Sequence, residues 1–366
     1  MITYIQFIED RKKILKSIFE GKSTNWVNEN ITYDYFSKKN ILTEKDFNFI
    51  FKGLNNVKKL DQNQVKLLLY FIEYAYTPVS IMKNYFPQII TPTPELEQRG
   101  LVKYYLRYDQ KSNSVFATFR GTKTFWELLS GLKFYRIPFD ILENKDHFFE
   151  WRDKFIKLKE FNPLTVPLLN DKEIEIHKGF LDEANLIYID FIEKLLRVIN
   201  PLSKTVKIVL CGHSLGGVLA TILGIYLSYK FQNIVEKGRM EISLITANTP
   251  PMGNKNFNLL IPYLKIKNYI RLYNYQDFVP FYGYFGTWIE NKKFRHLDYM
   301  LKKGSSGDKN TDGRFISELI GKTNIWVKDY GKDLDTFLNK ESNNKDFNMK
   351  YIYHDIFKIK NNVLFI

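Results

Sequence analysis

The chain has 366 residues, 45% hydrophobic and 16% aromatic, so it carries enough apolar surface for a large core and is not a disordered chain. Lys and Arg number 54 against 40 Asp and Glu, a formal charge of +14, which reads either as attraction to an anionic surface, phospholipid or nucleic acid, or as compositional bias. The basic residues are scattered, with no Lys/Arg block and no zinc, helix-turn-helix or ribonucleoprotein signature, which argues against a nucleic-acid partner.

Cys211 is the single cysteine, so an intrachain disulfide is impossible and nothing points to an oxidising compartment. The first residues, Met1 to Lys12, lack a charged segment followed by an apolar one and a small-residue cleavage site. The longest apolar run, Val65 to Tyr76, is interrupted by Lys66 and Glu73 and is too short to span a bilayer. The expectation is a soluble intracellular, cytoplasmic protein.

Residues 1–60 read as a helical N-terminal extension, and 61–366 as one α/β domain. In the extension, Asp10 to Phe19 and Thr43 to Leu54 place apolar residues at helical spacing, and Thr43 with Asp46 forms a capping pattern. Gln62 to Tyr76 is predicted as a buried helix ending before Pro78, and Pro87, Pro92 and Pro94 mark a loop. Leu101 to Asp109 and Ser114 to Phe119 are predicted strands joined by the turn Gln110 to Asn113. Phe125 to Phe134 is a short apolar stretch, followed by an irregular region to about Asp171. Lys172 to Ile176 is a predicted strand, and Gly179-Phe180 opens a helix that runs to about Ile199 and is closed by Pro201. Thr205 to Leu210, Ile242 to Ala247 and Tyr269 to Tyr273 are short apolar strands of the kind buried in parallel sheets, with a helix over Leu215 to Phe231. Strands alternating with helices predict a mostly parallel, doubly wound sheet.

The chemistry concentrates at Gly212-His213-Ser214-Leu215-Gly216, between a predicted strand and a predicted helix. That context is what a nucleophile elbow requires. Glycines at Ser214±2 remove Cβ atoms where strand and helix crowd, and let the serine hold a strained backbone. The Leu215 N–H then faces a developing oxyanion at a helix N-terminus. A serine needs a base and an orienting acid, and in this fold the chain order is Ser, acid, His. Of His147, His177, His213, His296 and His354, the order leaves His296 and His354. Asp277 follows the strand Tyr269 to Tyr273, where open α/β sheets place catalytic acids, although an Asx turn or helix cap uses the same residue type.

The ordered motifs resemble the class 3 lipases, the fungal-lipase-like family of α/β hydrolases. Phe119-Arg120-Gly121-Thr122 is similar to the family's oxyanion loop, and His177-Lys178-Gly179-Phe180 to its His-x-Gly-Phe helix start. Cys211 to Ala220 resembles its elbow, Thr249 to Asn254 its Pro-Arg-x-Gly-Asn turn, and Arg271 to Pro280 its Asp-x-Val-Pro segment. Where the family has Arg in that turn, this chain has Pro251 and Met252. The resemblance covers about residues 65 to 360. It implies an α/β-hydrolase fold and a Ser214-Asp277-His354 triad, with Thr122 and Leu215 as the oxyanion hole. It also implies that His213 and His177 are structural and that His296 belongs to a non-catalytic stretch. Phe125 to Phe134 falls where the family carries an amphipathic lid, and on a helix Phe125, Leu128, Leu129 and Leu132 share one face, with Trp126 beside them. An ordinary core helix is the other reading of that stretch. The implied activity is acyl-enzyme hydrolysis of lipid esters, as a triacylglycerol lipase or phospholipase A1, with no metal or cofactor. The implied partners are the lipid substrate and a membrane or lipid-droplet surface. Alternatives are a catalytically weak binding module that keeps the fold, and a small-ester or thioester hydrolase with no interfacial role.

Overall fold

The computed structural model describes residues 42–55, 62–98, 104–121, 136–158, 173–199, 205–250, 252–274 and 322–327. Helix α1 (Glu44–Leu54) starts at Thr43, whose hydroxyl accepts from the Asp46 amide while the Asp46 carboxylate accepts from the Thr43 amide at 2.6 Å. This is the reciprocal cap expected from the sequence. Helix α2 (Gln62–Glu73) does not run on to Tyr76 as an α-helix. Its end tightens into a 3-10 turn, Tyr74–Tyr76, with the Thr77 amide donating to the Tyr74 carbonyl at 3.0 Å just ahead of Pro78. The proline-marked loop carries two short helices, α3 (Val79–Tyr85) and α4 (Pro94–Gln98), the latter opening on a proline preset for the first helical position.

Strands β1 (Tyr104–Asp109) and β2 (Ser114–Phe119) form the expected antiparallel hairpin, with Tyr104 opposite Phe119. A small antiparallel pair, β3 (Arg136–Pro138) and β4 (Glu175–His177), follows. Between them lies α5 (Lys145–Leu158), where an irregular segment was expected. Asn144 accepts from the His147 amide at its start, and on its aromatic side Phe148 and Trp151 meet the Tyr263 ring edge to face, with centroids 5.1 Å away in each case. Helix α6 (Lys178–Val198), β5 (Val206–His213), α7 (Leu215–Lys230), α8 (Gln232–Glu236), β6 (Met240–Ala247), α9 (Lys255–Tyr263) and β7 (Asn268–Asn274) complete the alternation, and β8 (Lys322–Val327) adds a strand without a sequence forecast.

The main sheet has the order β1-β2-β5-β6-β7-β8, parallel throughout except at the β1–β2 hairpin. Both faces of the central strands are apolar because both are covered. On one side Ile208, Leu210, Leu244 and Tyr269 pack against α6, α7 and α9. On the other Val209, Cys211, Ile245 and Ile270 meet α1 and α2. Each such buried side chain contributes about 1.5–3 kcal/mol before ordering entropy is counted. The Phe51 ring lies 4.4 Å from Phe116, and the Asn268 side-chain amide donates to the Leu54 carbonyl at 3.0 Å, so α1 is anchored to β2 and β7. The architecture is that of an α/β hydrolase. Among the described residues no helix is long and apolar enough to cross a membrane.

Candidate active site

β5 keeps its parallel pairing through Cys211, Gly212 and His213, opposite Ile245, Thr246 and Ala247, three residues past the predicted end. The chain then reverses in one residue. Ser214 has φ 56° and ψ −126°, its amide donates to the Ala247 carbonyl at 2.8 Å, and α7 begins at Leu215. An L-residue holds such a backbone only where its surroundings impose it. Those surroundings are two close approaches. A Cβ on Gly212 would stand 2.2 Å from the Gly216 carbonyl, and one on Gly216 would stand 2.0 Å from the Phe119 carbonyl oxygen. Strand, helix start and the end of β2 therefore cross with no room for a side chain. Leu215 occupies the first position of α7, where an amide has no intrahelical acceptor and the helix dipole favours negative charge.

The loop leaving β2 lies against this turn. A Cβ on Gly121 would come within 3.2 Å of the Ser214 Cβ and 2.7 Å of the His213 carbonyl oxygen. The Gly121 amide donates to the Tyr76 hydroxyl at 3.1 Å, and that hydroxyl lies 2.7 Å from His213 Nδ1. His213 is thus engaged with Tyr76 through its Nδ1. His177 is structural too. It caps α6, accepting from the Phe180 amide at 3.4 Å, with its ring stacked on Phe180. His147 lies 2.9 Å from the Tyr263 hydroxyl. The neighbouring thiol of Cys211 is fully buried, and burial pushes its pKa well up, so it is an inert core residue.

The turn after β6 supports the site from below. Thr249 offers its carbonyl to Arg271 at 3.0 Å, a guanidinium only 1% exposed on β7. A cation therefore does reach this turn, from a neighbouring strand rather than from the position where Pro251 and Met252 stand. Asn254 joins the turn to β4. Its side chain accepts from the Phe257 and Glu175 amides at 3.1 and 3.2 Å and donates to the Glu173 carbonyl at 2.8 Å. Asn254→Ala removes a helix cap and a bridge together, and is expected to lower stability by about 2 kcal/mol. A urea midpoint unchanged from wild type would contradict this.

Ser214 and Leu215 thus sit together at the C-terminal edge of the sheet. Thr122, Phe125, Trp126, Leu128, Leu129, Leu132, Asp277, His296 and His354 lie outside the described residues. Two of them come soon after described positions in the chain. Thr122 comes next after Gly121, and Asp277 is three residues beyond Asn274, which ends β7. Leu272 of β7 pairs with Ala247, which pairs with His213, so β5 and β7 end on the same edge. Two residues of this site escaped the sequence reading, Tyr76 and Arg271. Each acts through a contact distant in sequence, and neither belongs to a local pattern.

The family model for lipase (class 3) matches residues 116–286, from within β2 to beyond β7. No curated protein matches the chain. Among solved structures the chain is similar to the triacylglyceride lipase of Rhizomucor miehei, at 13% identity over 79% of this chain and 82% of that one, with a TM-score of 0.44. A lipase of Rhizopus microsporus var. chinensis is 16% identical over 65% and 69%, with a TM-score of 0.37. The non-glycosylated LIP2 lipase of Yarrowia lipolytica is 19% identical over 65% and 75%, with a TM-score of 0.37.

Proposed function

We propose that this chain, which belongs to the class 3 lipase family and is a carboxylic-ester hydrolase, cleaves lipid acyl esters through a Ser214-Asp277-His354 triad. The observation that carries the reading is the backbone of Ser214, φ 56° at the junction of β5 and α7. Strain of this kind, held by glycine-only crossings, is explained by the need to present Oγ above the sheet edge.

The steps follow from that placement. His354 takes the Ser214 proton as Oγ attacks the ester carbonyl, and Asp277 orients the imidazole and stabilises its charged form. The oxyanion accepts from the Thr122 and Leu215 amides, a contribution of a few kcal/mol. The intermediate collapses, the alcohol leaves with the proton from His354, and the acyl group stays on Oγ. Water, deprotonated by His354, then releases the fatty acid and restores Ser214. Every proton moves between the chain's own groups, substrate and water.

The substrate is an acyl ester of glycerol, triacylglycerol or a phospholipid cleaved as by a phospholipase A1. The +14 charge supports work at an anionic lipid surface, and the helical spacing of Phe125, Leu128, Leu129 and Leu132 in the sequence, with Trp126 beside them, supports reading this stretch as a lid that engages acyl chains there. The setting proposed is intracellular, at a membrane or lipid-droplet surface. Three substrates test this, a triacylglycerol emulsion, phosphatidylglycerol vesicles and p-nitrophenyl butyrate below its solubility limit. Turnover that rises steeply once lipid aggregates is the expected result. Turnover of the soluble ester alone points instead to a small-ester hydrolase, and turnover of none ends the reading.

The base is tested separately. His354→Ala is expected to lower kcat by about 10⁴-fold or more, and His296→Ala by less than about tenfold. The reverse ranking would move the base to His296.

A further inference from the structure

We propose that Tyr76 is a positioning residue for the oxyanion hole, its hydroxyl holding the loop after β2 in register with the nucleophile elbow. The inference rests on the reading of Ser214 as nucleophile and Thr122 as oxyanion donor. Three elements far apart in sequence meet at one oxygen. They are the 3-10 turn, through Tyr76, the end of β2, through the Gly121 amide at 3.1 Å, and the end of β5, through His213 Nδ1 at 2.7 Å. Tyr76 and His213 are only 8% and 4% exposed, so water does not compete freely for these contacts. A hydroxyl suits the position because it accepts and donates at once. The Gly121 N–H enters it, and its own hydrogen is available to an unprotonated Nδ1.

The oxygen stands on a rigid base. The next carbonyl, that of Thr77, accepts from the Tyr105 hydroxyl of β1 at 2.5 Å, and Thr118 of β2 donates to the Ile72 carbonyl at 3.2 Å. The turn bearing Tyr76 is thereby tied to the first two strands. What it holds is close to the chemistry. Gly121 packs so tightly on the elbow that a Cβ there would lie 3.2 Å from Ser214 Cβ, and Thr122 is the next residue. A small displacement of Gly121 shifts the donor that follows it relative to the attacking oxygen. Catalysis depends on donors preset at the oxyanion position, and a misplacement near 1 Å lowers rate about 100-fold.

The test uses the full chain with p-nitrophenyl butyrate and a fluorophosphonate that labels the nucleophile. Tyr76→Phe keeps the ring and removes the bridge. Its kcat and its labelling rate are expected to fall together, about 10- to 100-fold, with KM within about twofold and cooperative thermal unfolding retained. His213→Asn keeps an acceptor near the Nδ1 position and is expected to stay within about fivefold of wild type, whereas His213→Leu follows Tyr76→Phe. A folded Tyr76→Phe protein with wild-type kcat and labelling rate overturns the proposal. If that variant does not fold, equal rates for His213→Asn and His213→Leu overturn it. Wild-type protein left unlabelled at Ser214 defeats the hydrolase reading itself, and this proposal with it. Labelled wild type with an equally fast Tyr76→Phe defeats this proposal alone.

Discussion

Gly216→Ala is expected to destabilise the protein by about 3 kcal/mol or more and to lower activity by more than about 100-fold. The new Cβ would stand 2.0 Å from the Phe119 carbonyl oxygen, 2.6 Å from its carbon and 2.8 Å from the Arg120 carbonyl carbon. All three are backbone atoms, so no side-chain rotation relieves the contact. Either α7 withdraws from the end of β2 or β2 bends away. Both movements separate Leu215 at the head of the helix from the loop that leads through Gly121 to Thr122, so the two sides of the proposed oxyanion hole part. Stability and rate therefore fall together, unlike the case of a substitution at a catalytic side chain. Urea midpoints and kcat on p-nitrophenyl butyrate measure both, and a midpoint equal to wild type would show that the crossing is looser than described.

Ser214→Gly is expected to do the opposite to stability while abolishing activity. The backbone at 214, φ 56° and ψ −126°, costs an L-residue of order 1–3 kcal/mol, a strain glycine does not feel. Glycine loses about 0.5–1 kcal/mol of that advantage through the greater freedom of the unfolded chain. The net gain is about 1 kcal/mol. Loss of Oγ lowers kcat by about 10⁴- to 10⁶-fold, the residue above water coming from the oxyanion hole and binding. Higher stability with near-zero turnover is the signature of strain kept for function. A Ser214→Gly protein less stable than wild type would mean that the side chain itself holds the turn.

The elbow was legible in the sequence because its steric rule is local: glycines two residues either side of a serine, a strand before and a helix after. The Thr43–Asp46 cap was legible for the same reason. The end of β5 was not. Glycine at 212 reads as a turn, yet Cys211 to His213 still pair with β6, because a residue without a side chain is what the crossing with Gly216 demands. Helix α5 was missed because its apolar side is aromatic, fully buried at Phe148 but only partly at Phe149, Trp151 and Phe155, and is interleaved with charges. The Tyr76–His213 contact spans 137 positions and obeys no period, so only the folded chain reveals it. Arg271 read as the first residue of a family segment, and its role as the cation beneath the Thr249 turn emerges from strand register alone.

The chemistry proposed for this chain stands on Ser214 as the nucleophile. The most direct measurement is mass-spectrometric mapping of the covalent adduct after reaction with a fluorophosphonate. One adduct per chain is expected, on the peptide that contains Gly212-His213-Ser214-Leu215-Gly216 and on the serine itself, formed in step with loss of ester hydrolysis. Loss of hydrolysis with the adduct on another residue, or hydrolysis that continues while Ser214 is fully modified, would contradict it.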